Sequence, residues 1–244
     1  MAGHSQFANI KHRKNAQDSK RAKLFTKLLR EITVAAKTGQ ADPDFNPRLR
    51  TAIIEAKSNN LPKDRIDAAI KKVVSGSDSS NYENIRYEGY SNSSIAVIVE
   101  ALTDNKNRTA GEVRSLFSKS GGSLGETGSL NFLFDHCGLI KYSSDIDSFD
   151  DLLEFALELN VIDIVEKNSN YYIYTAINDF ISVRDDLINK FSNPIISRII
   201  WKAKDLIDLE DENKIKNLIN LIESLEDLDD VTYVYTNYND IQIW

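Results

Sequence analysis

The chain has 244 residues, enough for one large domain or two to three small ones, and its 41% hydrophobic and 27% charged residues are the balance of an ordinary globular protein. No apolar run reaches the about eighteen residues of a membrane span, and the first residues lack the apolar core of a signal peptide. The single cysteine, Cys137, excludes an internal disulfide and any multi-cysteine metal or iron–sulfur site. A cytoplasmic chain with no membrane partner is expected. The net charge of −7 is unevenly divided. Up to Gly76 there are 16 Lys and Arg against 7 Asp and Glu; from Ser77 onward there are 14 against 30. Charge clustered in this way suits a segment that meets a polyanion. The competing reading is that a basic and an acidic domain merely attract each other, and the clustering favours the polyanion.

Along residues 17–37 the apolar residues Leu24, Phe25, Leu28, Leu29, Ile32 and Ala36 recur at helical spacing. At about 100° per residue, Lys20, Lys23, Lys27, Arg30 and Lys37 fall on the opposite side, so one face is core and the other a basic stripe. Asn46-Pro47 offers a cap and a first-turn proline for a second helix, and Pro62 opens a third carrying Ile66, Ala69, Ile70 and Val73. The polar run 75–81 closes this unit. Beyond it, 95–102 reads as a buried strand. Thr109-x-x-Glu112 reads as a capping box, Gly121-Gly122 as the stop of that helix, and 129–134 as the next strand.

A strand near 139–142, a helix over about 150–159 and strands at 162–166 and 171–175 come next. A helix near 181–190 and a strand around 195–201 complete the β-α-β-β-α-β order of a ferredoxin-like domain. The chain closes with a helix through Ile215, Leu218, Ile219, Ile222 and Leu225, and a strand over 231–236. That pair cannot cover its own apolar surface, so it is expected to return and complete a second set of the same kind in the domain begun at Tyr82. The expected fold class is α+β. A basic helical domain with an N-terminal arm spans 1–76. A ferredoxin-like middle domain combines 82–134 with 206–244, and a second ferredoxin-like domain, 135–205, is inserted in it.

Residues 121–129, Gly-Gly-Ser-Leu-Gly-Glu-Thr-Gly-Ser, are the most conspicuous local motif. A phosphate cradle needs glycines between a strand and the following helix; here a helix comes first, and no Gly-Lys-Ser/Thr is present. A tight connection using positive φ is the favoured reading, with a close approach to an RNA or DNA backbone left open. His4, His12 and His136 have no zinc-ligand spacing with partners. Cys137 reads as a packing residue, and the carboxylates of 145–158 and 205–212 as a solvated acidic face. No catalytic residue, metal, cofactor or small-molecule substrate is expected, and hence no enzyme.

The leader is different. Phe7, Asn9, Lys11, His12, Arg13 and Lys14 combine an aromatic, an amide and basic groups, and they run directly into Lys20, Lys23, Lys27 and Arg30. These ten residues are the candidate nucleic-acid-binding set, in which the cations hold phosphates and Phe7 stacks on a base. A disordered solubilising tail is the alternative for the leader.

Met1-Ala2-Gly3-His4-Ser5, Ala8-Asn9-Ile10-Lys11-His12-Arg13-Lys14, Phe25-Thr26-Lys27-Leu28, Asn46-Pro47-Arg48-Leu49-Arg50, Tyr87-Glu88-Gly89-Tyr90, Glu100-Ala101-Leu102-Thr103-Asp104-Asn105 and the glycine-rich motif together closely resemble the YebC/PmpR family. The likeness covers about the first 135 residues and continues more loosely to the end. It implies a three-domain protein with a helical N-terminal domain and two ferredoxin-like domains. Bacterial members are described as transcriptional regulators that bind DNA. They have also been assigned a ribosome-associated role in relieving stalls at proline-rich stretches, and the mitochondrial relative is a translational activator. With no transit peptide before Ala2, the chain reads as a bacterial member. Two departures stand out: Phe7 and Gln6 replace the usual tryptophan and lysine, and Ser91-Asn92-Ser93-Ser94 replaces a loop richer in Gly and Pro.

The expected function is a non-enzymatic, nucleic-acid-binding regulator of gene expression, a DNA-binding transcriptional regulator as the family is described. The alternative is a ribosome-associated translation factor that binds ribosomal RNA. A protein-interaction module is the third possibility, with the acidic domains as the binding surface.

Overall fold

The computed structural model describes the backbone of residues 3–239 and the side chains of residues 18–239. The helical unit consists of α1 (Gly3–Thr38), α2 (Pro47–Ser58) and α3 (Lys63–Val74). Its core gathers Phe25, Leu28, Ile32, Leu49, Ala52, Ala56 and Ile66 from all three helices. Asn46 sets the α1–α2 corner. In extended backbone, it accepts the Leu49 N–H at 3.0 Å, while its amide donates to the carbonyls of Ala35 and Gln40 at 2.7 Å each. One buried side chain therefore caps α2 and satisfies the end of α1, with Pro47 in the first turn.

The rest of the chain runs β1 (Glu83–Tyr90), β2 (Ala96–Thr103), α4 (Lys106–Lys119), β3 (Ser123–Leu124), β4 (Phe134–Ser143), α5 (Phe149–Leu157), β5 (Val161–Lys167), β6 (Asn170–Thr175), α6 (Phe180–Lys190), β7 (Ile196–Ala203), α7 (Glu212–Glu226) and β8 (Val231–Thr236). These strands build two four-stranded sheets, ordered β3-β1-β2-β8 and β5-β6-β4-β7, with every neighbouring pair antiparallel. The protein is thus mixed α+β, with N-terminal helices and two antiparallel sheets. Among the described residues, no helix is long and apolar enough to cross a membrane.

Side-chain alternation along the strands stacks these elements in layers. Val97 and Val99 of β2 meet Val113 and Phe117 of α4 and Leu218 and Ile222 of α7. Ala96 and Ile98 share a core with Leu139, Tyr172, Tyr174 and Ile200 of the other sheet. Ile140, Tyr142 and Ile173 turn the opposite way, onto Leu152 of α5 and Phe180 and Leu187 of α6. The order is helices, sheet, sheet, helices. β2 is apolar on both sides over Ala96–Val99 because both of its faces are covered there.

Three expectations need correction. The α4 helix is capped by Asn105, which accepts the Arg108 N–H at 3.1 Å, and not by Thr109, whose hydroxyl is buried and donates to Asp230. Residues 129–133 form turns, and the next strand begins only at Phe134. The amides of Gly128 and Leu130 donate to the buried Glu88 carboxylate at 2.8 and 2.7 Å, so a side chain takes the place of a neighbouring strand. Gly128 adopts φ +93°, and a Cβ at Gly89 would stand 2.4 Å from the Ser123 carbonyl oxygen, so glycine is required on both sides of this turn. Finally, the first sheet runs β-β-α-β and then α-β, because β1, which carries mostly polar residues, opens it as a hairpin with β2.

The helical unit is joined to both sheets. Glu55 of α2 accepts hydrogen bonds from Arg198 of β7 (2.9 Å) and the Tyr233 hydroxyl of β8 (2.7 Å). The buried Arg184 of α6 reaches Thr51 of α2, and Arg50 pairs with Asp185 at 3.2 Å. On the α1 side the anchor is Asp230, which is buried at the start of β8. Arg30 reaches one of its oxygens at 3.0 Å, and the Thr103 and Thr109 hydroxyls and the Arg108 guanidinium reach the other. Burial alone would raise the Asp230 pKa, but the bonds from Arg108, Thr109 and Thr103 outweigh it and hold the carboxyl below its usual value.

Asp230→Asn keeps the shape and removes the charge, so it is expected to lower unfolding free energy by about 3 kcal/mol, read from urea midpoints at pH 7. Because the folded carboxyl is held below the ordinary value of 3.8, its contribution is complete above about pH 4 and lost as pH falls through the lower folded value. The gap between wild type and variant should therefore close on acidification below that point. Equal midpoints at pH 7 would remove Asp230 as the anchor.

Candidate nucleic-acid interface

Of the ten candidate residues, Phe7, Asn9, Lys11, His12, Arg13 and Lys14 lie outside the described side chains. The other four separate into two groups. Lys23 donates to the main-chain oxygen and the carboxylate of Asp227 at 3.1 and 3.2 Å, and Lys27 to the Glu226 carbonyl at 2.6 Å. Arg30 donates to the carbonyls of Leu102 and Asp229 at 2.9 and 3.0 Å, besides its pair with Asp230. These three cations face the C-terminal end of α7, whose last turn contains no basic residue of its own. There they meet unpaired carbonyls and the negative end of the helix dipole. Burial lowers the Lys27 ammonium pKa by more than Glu226 and Asp229 raise it.

Lys20 is the member of the stripe that stays open: it is exposed and forms no salt bridge with any described residue. Beside it lies a pair that helical periodicity does not pick out. The guanidinium groups of Arg21 on α1 and Arg65 on α3 both sit over the Phe25 ring, 5.1 and 5.8 Å from its centroid. Neither has a carboxylate partner among the described residues. Two like charges held around one ring repel each other, and an anion between them relieves that repulsion. Lys63, Lys71 and Lys72 add exposed cations along α3, where Asp64 and Asp67 are exposed as well. Helical spacing misses Arg21, because at about 100° per residue it falls among Leu24, Phe25 and Leu28 on the apolar side. Only the packing of α3 shows that this edge of the core is open.

Lys37 belongs to neither group. It holds Asp78 in the linker at 2.8 Å, and together with Ser80 it brings the Asp78 carboxyl down to about 2. Cys137 is buried in the core shared by the two sheets, and burial pushes its thiol up to about 11. Among the described residues, no group of three or more His, Cys, Asp or Glu side chains is placed to hold a metal ion.

The family model described as the TACO1/YebC protein N-terminal domain matches residues 5–76, and that of the TACO1/YebC second and third domain matches residues 82–238. Proteins named "probable transcriptional regulatory protein" are similar over nearly the whole chain. That of Wolbachia pipientis subsp. Culex pipiens is 52% identical over 240 residues, covering 98% of both chains. That of Rickettsia canadensis is 54% identical over 239 residues, covering 98% of this chain and 95% of the relative. A conserved hypothetical protein of Aquifex aeolicus, known from its crystal structure, superposes with a TM-score of 0.81 at 40% identity, covering 91% of each chain. These likenesses span the helical unit and both sheets, and the chain belongs to the TACO1/YebC family.

Proposed function

We propose that this chain is a non-enzymatic regulator of gene expression that binds DNA through its helical unit, on the open cluster of Lys20, Arg21 and Arg65 continued by Lys11, Arg13 and Lys14. The observation that carries this reading is the division of labour on α1. Three cations of the stripe are taken up in docking, while the Arg21–Arg65 pair has no carboxylate partner among the described residues. The names of the relatives, which call them transcriptional regulators, support it. The unit 135–205 is read as a ferredoxin-like domain inserted between 82–134 and 206–244, and the two sheet units together hold the helical unit and repel nucleic acid from the acidic remainder.

A second reading, a ribosome-associated factor on ribosomal RNA, is favoured by one feature. The open cations are spread over two helices rather than lined along one helix that could enter a major groove. That suits phosphate contacts on a shaped surface.

Replacing Lys20, Arg21 and Arg65 with alanine is expected to weaken duplex DNA binding. It should reduce the slope of log affinity against log salt by about three, near 0.9 for each phosphate that is no longer neutralised. Unchanged affinity and slope in fluorescence anisotropy would sink the proposed face. A ribosomal RNA fragment that outcompetes duplex DNA, with the same weakening in the variant, would transfer the face to the second reading. Replacing Lys23 and Lys27 with alanine should do the opposite, lowering the unfolding midpoint while leaving the salt slope of the DNA complex as in the wild type. A reduced slope there would put the docked lysines back in the interface.

A further inference from the structure

Where the helical unit meets the two sheets there is a cleft of about 740 Å³, within the size range of small-ligand sites. One wall carries a three-membered stack. His136 and Trp201 are cross-strand partners on β4 and β7, with ring centroids 4.1 Å apart and planes 5° from parallel. The Arg86 guanidinium lies 4.3 Å from the Trp201 ring. A parallel ring at that distance fills one face of the indole, so Arg86 covers the other. Trp201 is buried and its indole N–H donates to Glu100 at 2.9 Å, which fixes the orientation of the stack. His136 is exposed and lines the cleft, so the stack ends in an imidazole that borders it.

Part of the remaining lining is apolar. Leu24 of α1 and Ile177 just before α6 are 40% and 41% exposed, and both line the cleft. Apolar surface left open inside a concavity marks a place for a ligand. The cleft's charged groups are mostly paired, Arg198 with Glu55 at 2.9 Å and Arg48 with Glu31 at 2.8 Å, while Thr127 and Asn84 offer neutral donors and acceptors. Burial and the neighbouring Arg86 lower the His136 pKa, so the imidazole is neutral at pH 7 and presents a π-face rather than a charge.

We infer that this cleft binds a heteroaromatic base, a purine or pyrimidine lying flat on His136 with its attached phosphate toward Arg48. A planar, uncharged ring with a polar edge matches the stack, the apolar residues and the hydrogen-bonding groups, and the anionic tail of a nucleotide would share Arg48 with Glu31. Bases stack on aromatic and guanidinium planes of this kind in known recognition modules. The base belongs either to a free nucleotide or to an unpaired position in a strand. The site stands on its own geometry and does not require the basic cluster to bind DNA.

The test uses the full chain carrying Trp244→Phe, which leaves Trp201 as its one tryptophan reporter. AMP, GMP, CMP and UMP, a short single-stranded RNA and the same strand paired with its complement are titrated separately while indole fluorescence is followed. Quenching by at least one mononucleotide or by the single strand is expected. Binding should weaken about tenfold in His136→Ala and recover in His136→Phe, with melting temperatures showing that both variants fold. A response to mononucleotides identifies a free nucleotide, and a response to the single strand alone identifies an unpaired base; both support the inference. It is overturned if no nucleotide or strand quenches Trp201, if His136→Ala binds as tightly as the parent, or if only a control peptide rich in aromatic residues responds. Duplex DNA binding at the basic cluster is measured separately, so either site can fail without the other.

Discussion

A buried carboxylate, Asp230, takes hydrogen bonds from α1, β2 and α4 together, and the placement of the helical unit depends on it. Outside water such a group stays ionised only when its lone pairs are filled, and here two guanidinium groups and two hydroxyls fill them. Four directional bonds on one side chain leave α1 little freedom of angle. With Arg30 fixed, the turns before it place Lys27 and Lys23 over the last carbonyls of α7, and that helix receives the positive charge that its own last turn lacks. The same orientation fixes the opposite edge of α1, where Arg21 meets α3 across Phe25.

The second constraint is the core shared by the two sheets. Because Ala96, Ile98 and Tyr235 from one sheet pack with Leu139, Tyr172 and Ile200 from the other, the sheets form a single rigid block on which the helical unit rests. It rests there at points rather than flush. Asp230 holds α1, and Glu55 holds α2 through Arg198 and Tyr233, whose ring lies 4.3 Å beneath the Arg198 guanidinium. Between these anchors the surfaces stand apart, and the cleft is the space left over. Its walls come from distant parts of the chain, so the helical repeats that bring Leu24 and Leu28 of α1 and Thr51 and Glu55 of α2 to it do not reveal the strand residues they face.

That is why the sequence shows one part of this molecule and hides another. The elements of the second sheet unit are legible to within a few residues, since each carries its own periodicity and a capping or turn residue. Ser148, for example, caps α5 by accepting the Asp151 N–H. Strand β1 alternates Asn84, Arg86 and Glu88 with Ile85 and Tyr87, a run with too few apolar residues to stand out; the buried Glu88 works as a cap for the glycine-rich turn, a role that only the folded chain shows. The basic stripe on α1 is visible as a pattern, but where each cation ends is not. Lys20 and Lys27 look alike on a helical projection and differ only through α7, some two hundred residues further along the chain.

Part of the charge asymmetry is satisfied within the molecule. Attraction between a basic and an acidic part is real, and it acts at Lys23, Lys27, Arg30 and Lys37, each paired with a group of the acidic remainder or its linker. Those contacts also do something for the cations they leave out. Arg21 and Arg65 lie on the edge of the helical unit away from the docked face of α1, while Lys20 is near enough to the Glu226 carboxyl to favour its charged form. A polyanion would then meet charges already in position, with less side-chain and domain freedom to lose on binding. The surplus of carboxylates over the rest of the molecule repels the same polyanion elsewhere and leaves the α1–α3 edge as the electrostatically open approach.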